Sequence, residues 1–313
     1  MVPVLFGEQN AHLQKIEKAL GVQITNRGNE VTISGTDSIQ AREILEALWS
    51  KLQQGQDVDP PTVDSALRYL EEQKNGTSNK ADGNTHSLDE FTNADVMIIT
   101  QKKKIQPRSP TQASYMQSMR DNKLVFGIGP AGTGKTYLAV ATAVSMLEEG
   151  KVERIILSRP AIEAGERLGF LPGEMKEKMD PYMRPLYDAL HDTMSGDKVL
   201  KKLAAEEIEI APLAFMRGRT LNNAFIILDE GQNATSMQMF MFLTRMGENS
   251  HMVVTGDPSQ TDLPRGELSG LTEASDILED VKGIGITNFS AKDVVRDKLV
   301  AKIIESYNAR KGQ

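Results

Sequence analysis

The sequence predicts an α/β protein with a mainly parallel sheet, preceded by a small α+β module. The glycine-rich segment 129–136 lies between a short apolar strand and an apolar helix, and further apolar segments end in polar residues, as strands of a parallel sheet do. Residues 74–87 are polar and contain glycines, as flexible linkers do. We therefore expect an N-terminal module over 1–73, a flexible linker over 74–90 and a main domain over 91–313.

The composition limits the classes of protein to consider. The 313 residues carry a formal net charge of −7 and contain no cysteine, which excludes disulfides and thiolate metal sites. The four histidines are scattered, without metal-ligand spacing. Without a long apolar run or a signal-peptide pattern, we expect a cytoplasmic protein with no membrane contact. The negative charge disfavours a broad duplex-DNA surface but permits a groove for a single strand.

The N-terminal module is predicted as strand, helix, strand, strand, helix. A first strand ends at Leu5-Phe6, and Gly21 stops the helix that follows. Alternating apolar residues at 22–24 and 31–33 predict a hairpin. A second helix begins near Asp37, and a short helix carries Val63, Leu67 and Leu70.

This order of elements resembles a KH-type RNA-binding fold, in which a GXXG loop before a helix clamps the nucleic-acid backbone. The corresponding loop is Gly7-Glu8-Gln9-Asn10, which lacks the second glycine. Glu8 also puts a negative charge where phosphate would lie. RNA binding and a role in packing or partner contact therefore both remain open for this module.

The glycine-rich segment has the spacing of a phosphate-binding loop, G-x-x-x-x-G-K-[ST]. It consists of Gly129, Pro130, Ala131, Gly132, Thr133, Gly134, Lys135 and Thr136. Such loops curl so that backbone N–H groups cradle phosphate oxygens at a helix N-terminus. Lys135 is predicted to reach the β- and γ-phosphates and Thr136 to ligate Mg²⁺. The segment predicts ATP as ligand.

Two polar features precede this loop. Lys102-Lys103-Lys104 with Arg108 is the densest basic run, and is either a solvated face or a contact for a phosphate backbone. Gln112 follows a predicted helix start at Pro110. Because an amide both donates and accepts hydrogen bonds, Gln112 is a candidate for reading adenine, with a surface glutamine as the alternative.

Further apolar segments suit a parallel, RecA-like sheet. They are 152–157, 208–210, 225–228 and 252–254. Asp229-Glu230 follows the third, where Asp229 is predicted to hold Mg²⁺ and Glu230 to polarise the attacking water. Gln260 follows the last and is predicted to sense the γ-phosphate. With Lys135, these residues predict a hydrolytic site, although two acids after a strand also occur as helix caps.

Several longer segments resemble the PhoH family of bacterial ATPases, and together they span roughly residues 105–310. They are Gly129–Ala139, Leu157–Gly173, Lys178–Leu190, Ile210–Leu221, Phe225–Asn233, Gln238–Arg245, Gly256–Pro264 and Asp293–Arg296. A KH-like module also fits the longer bacterial members. Family members resemble the ATPase half of superfamily 1 helicases, which implies work on RNA and a role for Gln232 in coupling nucleotide to partner.

The resemblance has two further consequences. It implies an endoribonuclease of ribosomal RNA maturation as a partner. Asp229-Glu230-Gly231-Gln232 departs from the usual D-E-A-Q of the family, which puts a flexible residue beside the proposed base.

Fast hydrolysis usually requires an arginine against the γ-phosphate. The candidates are Arg159, Arg217, Arg219, Arg245 and Arg296, and each has a structural ion pair as its alternative role. We favour Arg245 and Arg296. Because the chain has a single RecA-like domain, we expect a homo-oligomeric ring, a hexamer, in which a neighbour supplies the arginine.

The most favoured function is a Mg²⁺-dependent ATPase in RNA metabolism, acting on single-stranded RNA by remodelling or unwinding. A nucleotide-dependent adaptor that recruits a ribonuclease is the alternative, and a kinase is disfavoured by Glu230 and Gln260. In the insert 161–195, Tyr182 and Tyr187 beside Arg184 either stack on bases or pack on the sheet edge or a neighbouring subunit.

Overall fold

The computed structural model describes residues 2–75, 88, 91, 96–160, 175–264 and 266–295. The chain divides into two compact units. The first contains residues 1–96 and 107–113, and the second contains 97–106 and 114–313. The predicted linker falls largely outside the described residues, so the domain boundaries stay a prediction.

The first unit is a helical layer with one β-hairpin. Its elements are α1 (Val2–Phe6), α2 (Ala11–Leu20), β1 (Gln23–Arg27), β2 (Glu30–Ser34), α3 (Ser38–Gln53) and α4 (Pro60–Asn75). β1 and β2 are antiparallel, with Ile24 opposite Ile33. The predicted hairpin and the three helices after Gly7 are confirmed, and their apolar faces form one core.

The predicted first strand is wrong, because Leu5 and Phe6 lie in α1. Both side chains are buried in the core of this unit, and the Leu5 carbonyl lies 3.0 Å from His12 Nδ1. Two adjacent apolar residues have no period that separates a strand from a helix. Packing against the core therefore decided the conformation.

The loop Gly7–Asn10 is shaped by contacts within this unit. Gly7 has φ 74°, and a Cβ there would lie 2.8 Å from the His12 ring. Gln9 and Asn10 are also left-handed, with φ of 52° and 60°. The glycine at position 7 is thus required by its neighbour in α2, whatever the loop binds.

The second unit contains a six-stranded parallel sheet in the order β10-β5-β9-β8-β6-β7. The strands are β5 (Leu124–Ile128), β6 (Arg154–Arg159), β7 (Ile208–Pro212), β8 (Ala224–Leu228), β9 (His251–Gly256) and β10 (Ile284–Asn288). The central strands are buried along their length, because helices cover both faces of such a sheet. This arrangement confirms the predicted RecA-like α/β fold.

The remaining elements complete this unit. The helices are α5 (Pro110–Asp121), α6 (Lys135–Glu148), α7 (Met175–Thr193), α8 (Gly196–Ala204), α9 (Ser236–Leu243) and α10 (Gly270–Leu278), and β3 (Ile98–Ile99) pairs with β4 (Lys104–Ile105). The first residues of α5 belong to the other unit. Among the helices in the described ranges, none is both long and apolar enough to span a bilayer.

Lys51 is a buried cation in the first unit, with 4 % of its surface exposed. Its ammonium group lies 4.3 Å from the centre of the Phe91 ring and donates to Gln56 Oε1 at 3.1 Å. Burial lowers the pKa of Lys51 to about 8. The folded unit thus releases this proton more readily than the unfolded chain does.

Lys51→Met should flatten the pH dependence of stability between pH 8 and 10.5. The folded pKa of Lys51 lies below the unfolded value of 10.5, so the unfolded chain binds more protons in this window and stability rises with pH. In the wild type, this pKa difference raises the free energy of unfolding by about 3 kcal/mol as the pH increases from 8 to 10.5. Urea unfolding across this window measures it, with the exposed Lys18→Met as control. An undiminished gain in Lys51→Met would contradict the assignment.

Candidate nucleotide-binding site

A cleft of about 240 Å³ lies at the carboxyl ends of β5, β8 and β9. Its lining residues are Ala131, Gly132, Gly134, Lys135, Thr136, Tyr137, Asp229, Glu230, Gly256, Asp257 and Gln260. Only β9 separates β5 from β8 in the sheet, so the phosphate loop and the acidic pair meet across one strand. The structure thus brings Lys135, Thr136, Asp229, Glu230 and Gln260 together.

The backbone of the phosphate loop depends on its glycines. Gly129, Gly132 and Gly134 have φ of 142°, 84° and 85°, in the region that side chains disfavour. At Gly129 a Cβ would lie 2.3 Å from the Phe289 carbonyl oxygen. The loop is also held from outside, because the Val295 amide donates to the Gly132 carbonyl at 2.9 Å.

Lys135 begins α6 and bends back over its own loop. Its Nζ donates to the carbonyls of Gly129 at 2.7 Å and Pro130 at 2.8 Å. Burial lowers the pKa of Lys135, while Asp257, Asp229 and Glu230 act in the opposite direction. The side chain can exchange its carbonyl partners for phosphate oxygens without leaving the cleft.

Thr136 and Asp229 form the junction between α6 and β8. Thr136 Oγ1 donates to Asp229 Oδ1 at 2.6 Å, and Thr255 Oγ1 donates to the same oxygen at 2.8 Å. Within the part of the chain that the structure describes, no three His, Cys, Asp or Glu side chains are grouped to hold a metal. Mg²⁺ in nucleotide sites, however, takes few protein oxygens and completes its shell with phosphate and water. This hydroxyl and carboxylate fit that ion.

Glu230 has a strained backbone, with φ 55° and ψ 40°. A left-handed conformation in a residue with a long side chain raises the free energy of the folded state by about 1 kcal/mol or more. Its Oε1 lies 3.2 Å from Arg159 Nη2, and its Oε2 accepts a hydrogen bond from Gln232 Nε2. The strain and the two contacts aim the carboxylate within the cleft.

Two glutamines join the ends of β8 and β9. Gln232 is buried; its Oε1 accepts from the Asp257 amide at 3.0 Å, and its Nε2 also lies 3.3 Å from the Gln260 carbonyl. Gln260 Nε2 donates to Asp257 Oδ2 at 2.8 Å. A shift of the β9 end therefore moves Gln232, and Gln232 contacts Glu230.

Gly231 stands in a closely packed position beside the acidic pair. A Cβ there would lie 2.8 Å from Val254 Cγ1 and 3.3 Å from the Thr255 carbonyl. The alanine of the usual D-E-A-Q would place a Cβ against Val254 at this position. Gly231 leaves that space to the Val254 side chain.

The candidate arginines are dispersed. Arg159 contacts Glu230 in the cleft. Arg219 forms two 2.6 Å contacts with Glu209, and Arg245 donates to the carbonyls of Met241 and Arg219, near the amino end of β8. Arg217 is exposed. Arg245 is thus distant from the cleft of its own chain, and Arg296 lies outside the described residues.

Gln112 is buried in the first turn of α5, in the segment assigned to the first unit. Its Oε1 accepts from the Arg108 amide at 2.7 Å. Its proposed reading of adenine stays a prediction.

Thr255 and Asp257 follow the predicted strand 252–254, but sequence reasoning gave neither a role at this site, and it did not predict the contact of Arg159 with Glu230. Each follows the apolar part of a parallel strand. The rule that ligands bind at the carboxyl ends of such strands was the available signal. It identifies the end of a strand, but not which polar residue there faces inward.

Comparisons with known proteins agree with this geometry. The family model described as PhoH-like protein matches residues 104–308. The PhoH-like proteins of Mycobacterium tuberculosis (strain ATCC 25618 / H37Rv) and Bacillus subtilis (strain 168) are each 47 % identical over 309 residues. These matches cover 98 % and 97 % of this chain, and 85 % and 93 % of those proteins. Protein PhoH of Escherichia coli (strain K12) is 44 % identical over 203 residues, 64 % of this chain and 57 % of that protein. The chain belongs to the PhoH-like family.

Proposed function

We propose that this chain binds ATP with Mg²⁺ and hydrolyses it, and that hydrolysis serves RNA metabolism. The observation that carries the proposal is the grouping of Lys135, Thr136, Asp229 and Glu230 around one cleft. A loop for phosphates, oxygens for a hard cation and a separate carboxylate are the parts that water attack on a γ-phosphate requires.

The residues have distinct roles in this mechanism. Lys135 moves from the Gly129 and Pro130 carbonyls to the β- and γ-phosphates. Thr136 and Asp229 would hold Mg²⁺, which neutralises the charge that develops on the phosphates when it is bound. Glu230 accepts the proton of the attacking water, and Gln260 contacts the γ-phosphate from the end of β9.

We propose single-stranded RNA as the polymer partner, with helix α7 as one contact. Arg184 is exposed on this helix, and Tyr182 and Tyr187, two residues before it and three after it in the sequence, are half-buried. Aromatic rings next to a cation are the usual platform for single-stranded bases. Likeness to the PhoH family further suggests an endoribonuclease of ribosomal RNA maturation as a protein partner.

The second candidate is an adaptor that binds ATP to recruit such a ribonuclease. It is favoured by the contacts that restrain Glu230, because a base held by two donors suits slow turnover.

ATPase rates with and without single-stranded RNA separate the candidates. Stimulation supports the RNA-coupled enzyme, and slow, unchanged turnover without RNA binding supports the adaptor. Labelled phosphate transferred to an acceptor would indicate a kinase.

Glu230→Gln should lower kcat for ATP by about 10²–10⁴-fold while ATP binding persists, because an amide cannot accept the proton. Phosphate release and equilibrium nucleotide binding measure the two effects. Glu273→Gln, at an exposed position of α10, is the matched control. A Glu230→Gln enzyme with undiminished kcat would remove Glu230 from the mechanism.

Thr136→Val should raise the Mg²⁺ concentration for half-maximal turnover by about tenfold or more, since it removes a proposed ligand. The measurement is a Mg²⁺ titration of ATPase activity. Thr142→Val on the same helix, whose hydroxyl donates to the Leu138 carbonyl at 2.8 Å, should leave the titration unchanged. An equal shift in both variants would indicate loss of packing, not of a ligand.

We also propose that the chain works as a homo-oligomeric ring, a hexamer, in which a neighbour presents Arg245 or Arg296 to the cleft. Activity per subunit should then fall on dilution as the ring dissociates. Mixing the Glu230→Gln variant with an arginine variant should restore activity. In mixed rings, some clefts with an intact Glu230 face a neighbour with an intact arginine. Constant specific activity down to the monomer, followed by light scattering, would contradict the ring.

A further inference from the structure

Helix α7 is joined to both sides of the cleft by polar contacts. The Tyr182 carbonyl accepts a hydrogen bond from Arg159 Nη1 at 2.6 Å. One end of the same helix carries Asp192, whose Oδ2 accepts from Tyr137 Oη at 2.8 Å. Tyr137 follows Thr136 directly and lines the cleft. The helix therefore has one link to the phosphate-loop side and one to the acidic side.

Arg159 makes its two contacts with different nitrogens of one guanidinium. Nη1 bonds to the Tyr182 carbonyl and Nη2 lies 3.2 Å from Glu230 Oε1. Because the guanidinium is planar and rigid, displacement of one nitrogen also moves the other. Arg159 is anchored at the end of β6, between the central sheet and the insert, so it transmits displacement of α7 to Glu230.

The contacts of Glu230 show what such a displacement would change. Arg159 holds one carboxylate oxygen and Gln232 the other. A general base must direct an oxygen at the attacking water, within hydrogen-bond reach. Withdrawal of Arg159 leaves Glu230 with one restraint, so that Oε1 becomes available.

The described part of α7 is amphipathic, with one buried face and one exposed face. Met183, Leu186, Ala189 and Leu190 are buried along one face, while Arg184 and Asp188 are exposed. A ligand on the exposed face therefore reaches Arg159 through the backbone at Tyr182, without entering the cleft.

We propose that Arg159 is a positioning residue that couples helix α7 to Glu230, so that RNA on α7 regulates the rate of hydrolysis. The inference rests on the proposed ATPase function. In this structure Arg159 restrains the base, and movement of α7 relieves the restraint. Regulation then acts on kcat, because Arg159 contacts the base and none of the loop residues that would bind ATP.

Steady-state kinetics with Arg159→Gln test the coupling. Basal kcat should rise about threefold, with KM for ATP unchanged. A rate factor of this size corresponds to the small free energy that a partly exposed ion pair contributes. Stimulation by poly(U) should disappear. Arg154→Gln is the control, because Arg154 lies on the same strand but bonds to the Asn222 carbonyl at its other end. It should keep both the basal rate and the stimulation.

A second measurement reports α7 directly. The chain has no cysteine, so Arg184→Cys accepts a single fluorophore on the exposed face of the helix. Addition of Mg²⁺ with a non-hydrolysable ATP analogue should change the emission when Arg159 is present. The change should fall at least about fivefold in the Arg159→Gln background and persist with Arg154→Gln. The analogue is added at a saturating concentration, and this concentration is determined separately for each variant.

The outcomes separate the two proposals. A wild-type chain that hydrolyses no ATP contradicts the proposed function itself. If the wild type is active, an unchanged emission response or retained poly(U) stimulation in Arg159→Gln overturns the coupling alone. A fall in kcat of tenfold or more at constant KM also overturns it, and would make Arg159 an arginine that contacts the γ-phosphate in its own chain.

Discussion

The hydrogen bond from Thr136 to Asp229 is the contact on which the rest of the site depends. It joins the helix after the phosphate loop to the end of β8, and Thr255 ties β9 to the same carboxylate oxygen. The ends of β8 and β9 and the start of α6 are thereby fixed around one atom. Because a central parallel sheet is buried on both faces, its register cannot slip without exposing apolar strands. The fold thus holds the oxygens for Mg²⁺ and the loop for phosphate at a constant separation.

Close backbone approach sharpens this arrangement. Gly129 passes against the Phe289 carbonyl, and Gly256 has room only for its hydrogen, since a Cβ would lie 2.6 Å from Gln232 Oε1. β10 positions Phe289 and the segment that reaches Gly132. The site is therefore enclosed by the edge strand as well as by the strands that carry its side chains. Its acids oppose the effect of burial on Lys135, which favours the charged ammonium that phosphate needs.

Local sequence signals predicted the phosphate loop, the acidic pair and most central strands, because each combines a short polar motif with an apolar run. The rest depends on contacts between distant residues. Leu5-Phe6 became a helix through core packing, and β10, with only one of its five residues buried, gave too weak an apolar pattern. The pairing of Arg159 with Glu230 depends on β6 lying next to β8 in the sheet, and the pairing of Tyr137 with Asp192 depends on the position of α7. Sequence reasoning favoured Arg245 and Arg296 among five arginines, whereas the structure separates Arg159, Arg219 and Arg245 by their partners and places only Arg159 of these three beside Glu230.

The central claim is that one cleft binds Mg²⁺ and ATP for attack on the γ-phosphate. A crystal structure with Mg²⁺, ADP and aluminium fluoride tests it most directly. The account predicts that Lys135 Nζ leaves the Gly129 and Pro130 carbonyls for phosphate and fluoride. It also predicts Mg²⁺ beside Thr136 and Asp229, and a Glu230 oxygen in hydrogen-bond reach of the attacking water. Nucleotide bound away from residues 129–136, or Lys135 still on its carbonyls with the nucleotide bound, would contradict the account.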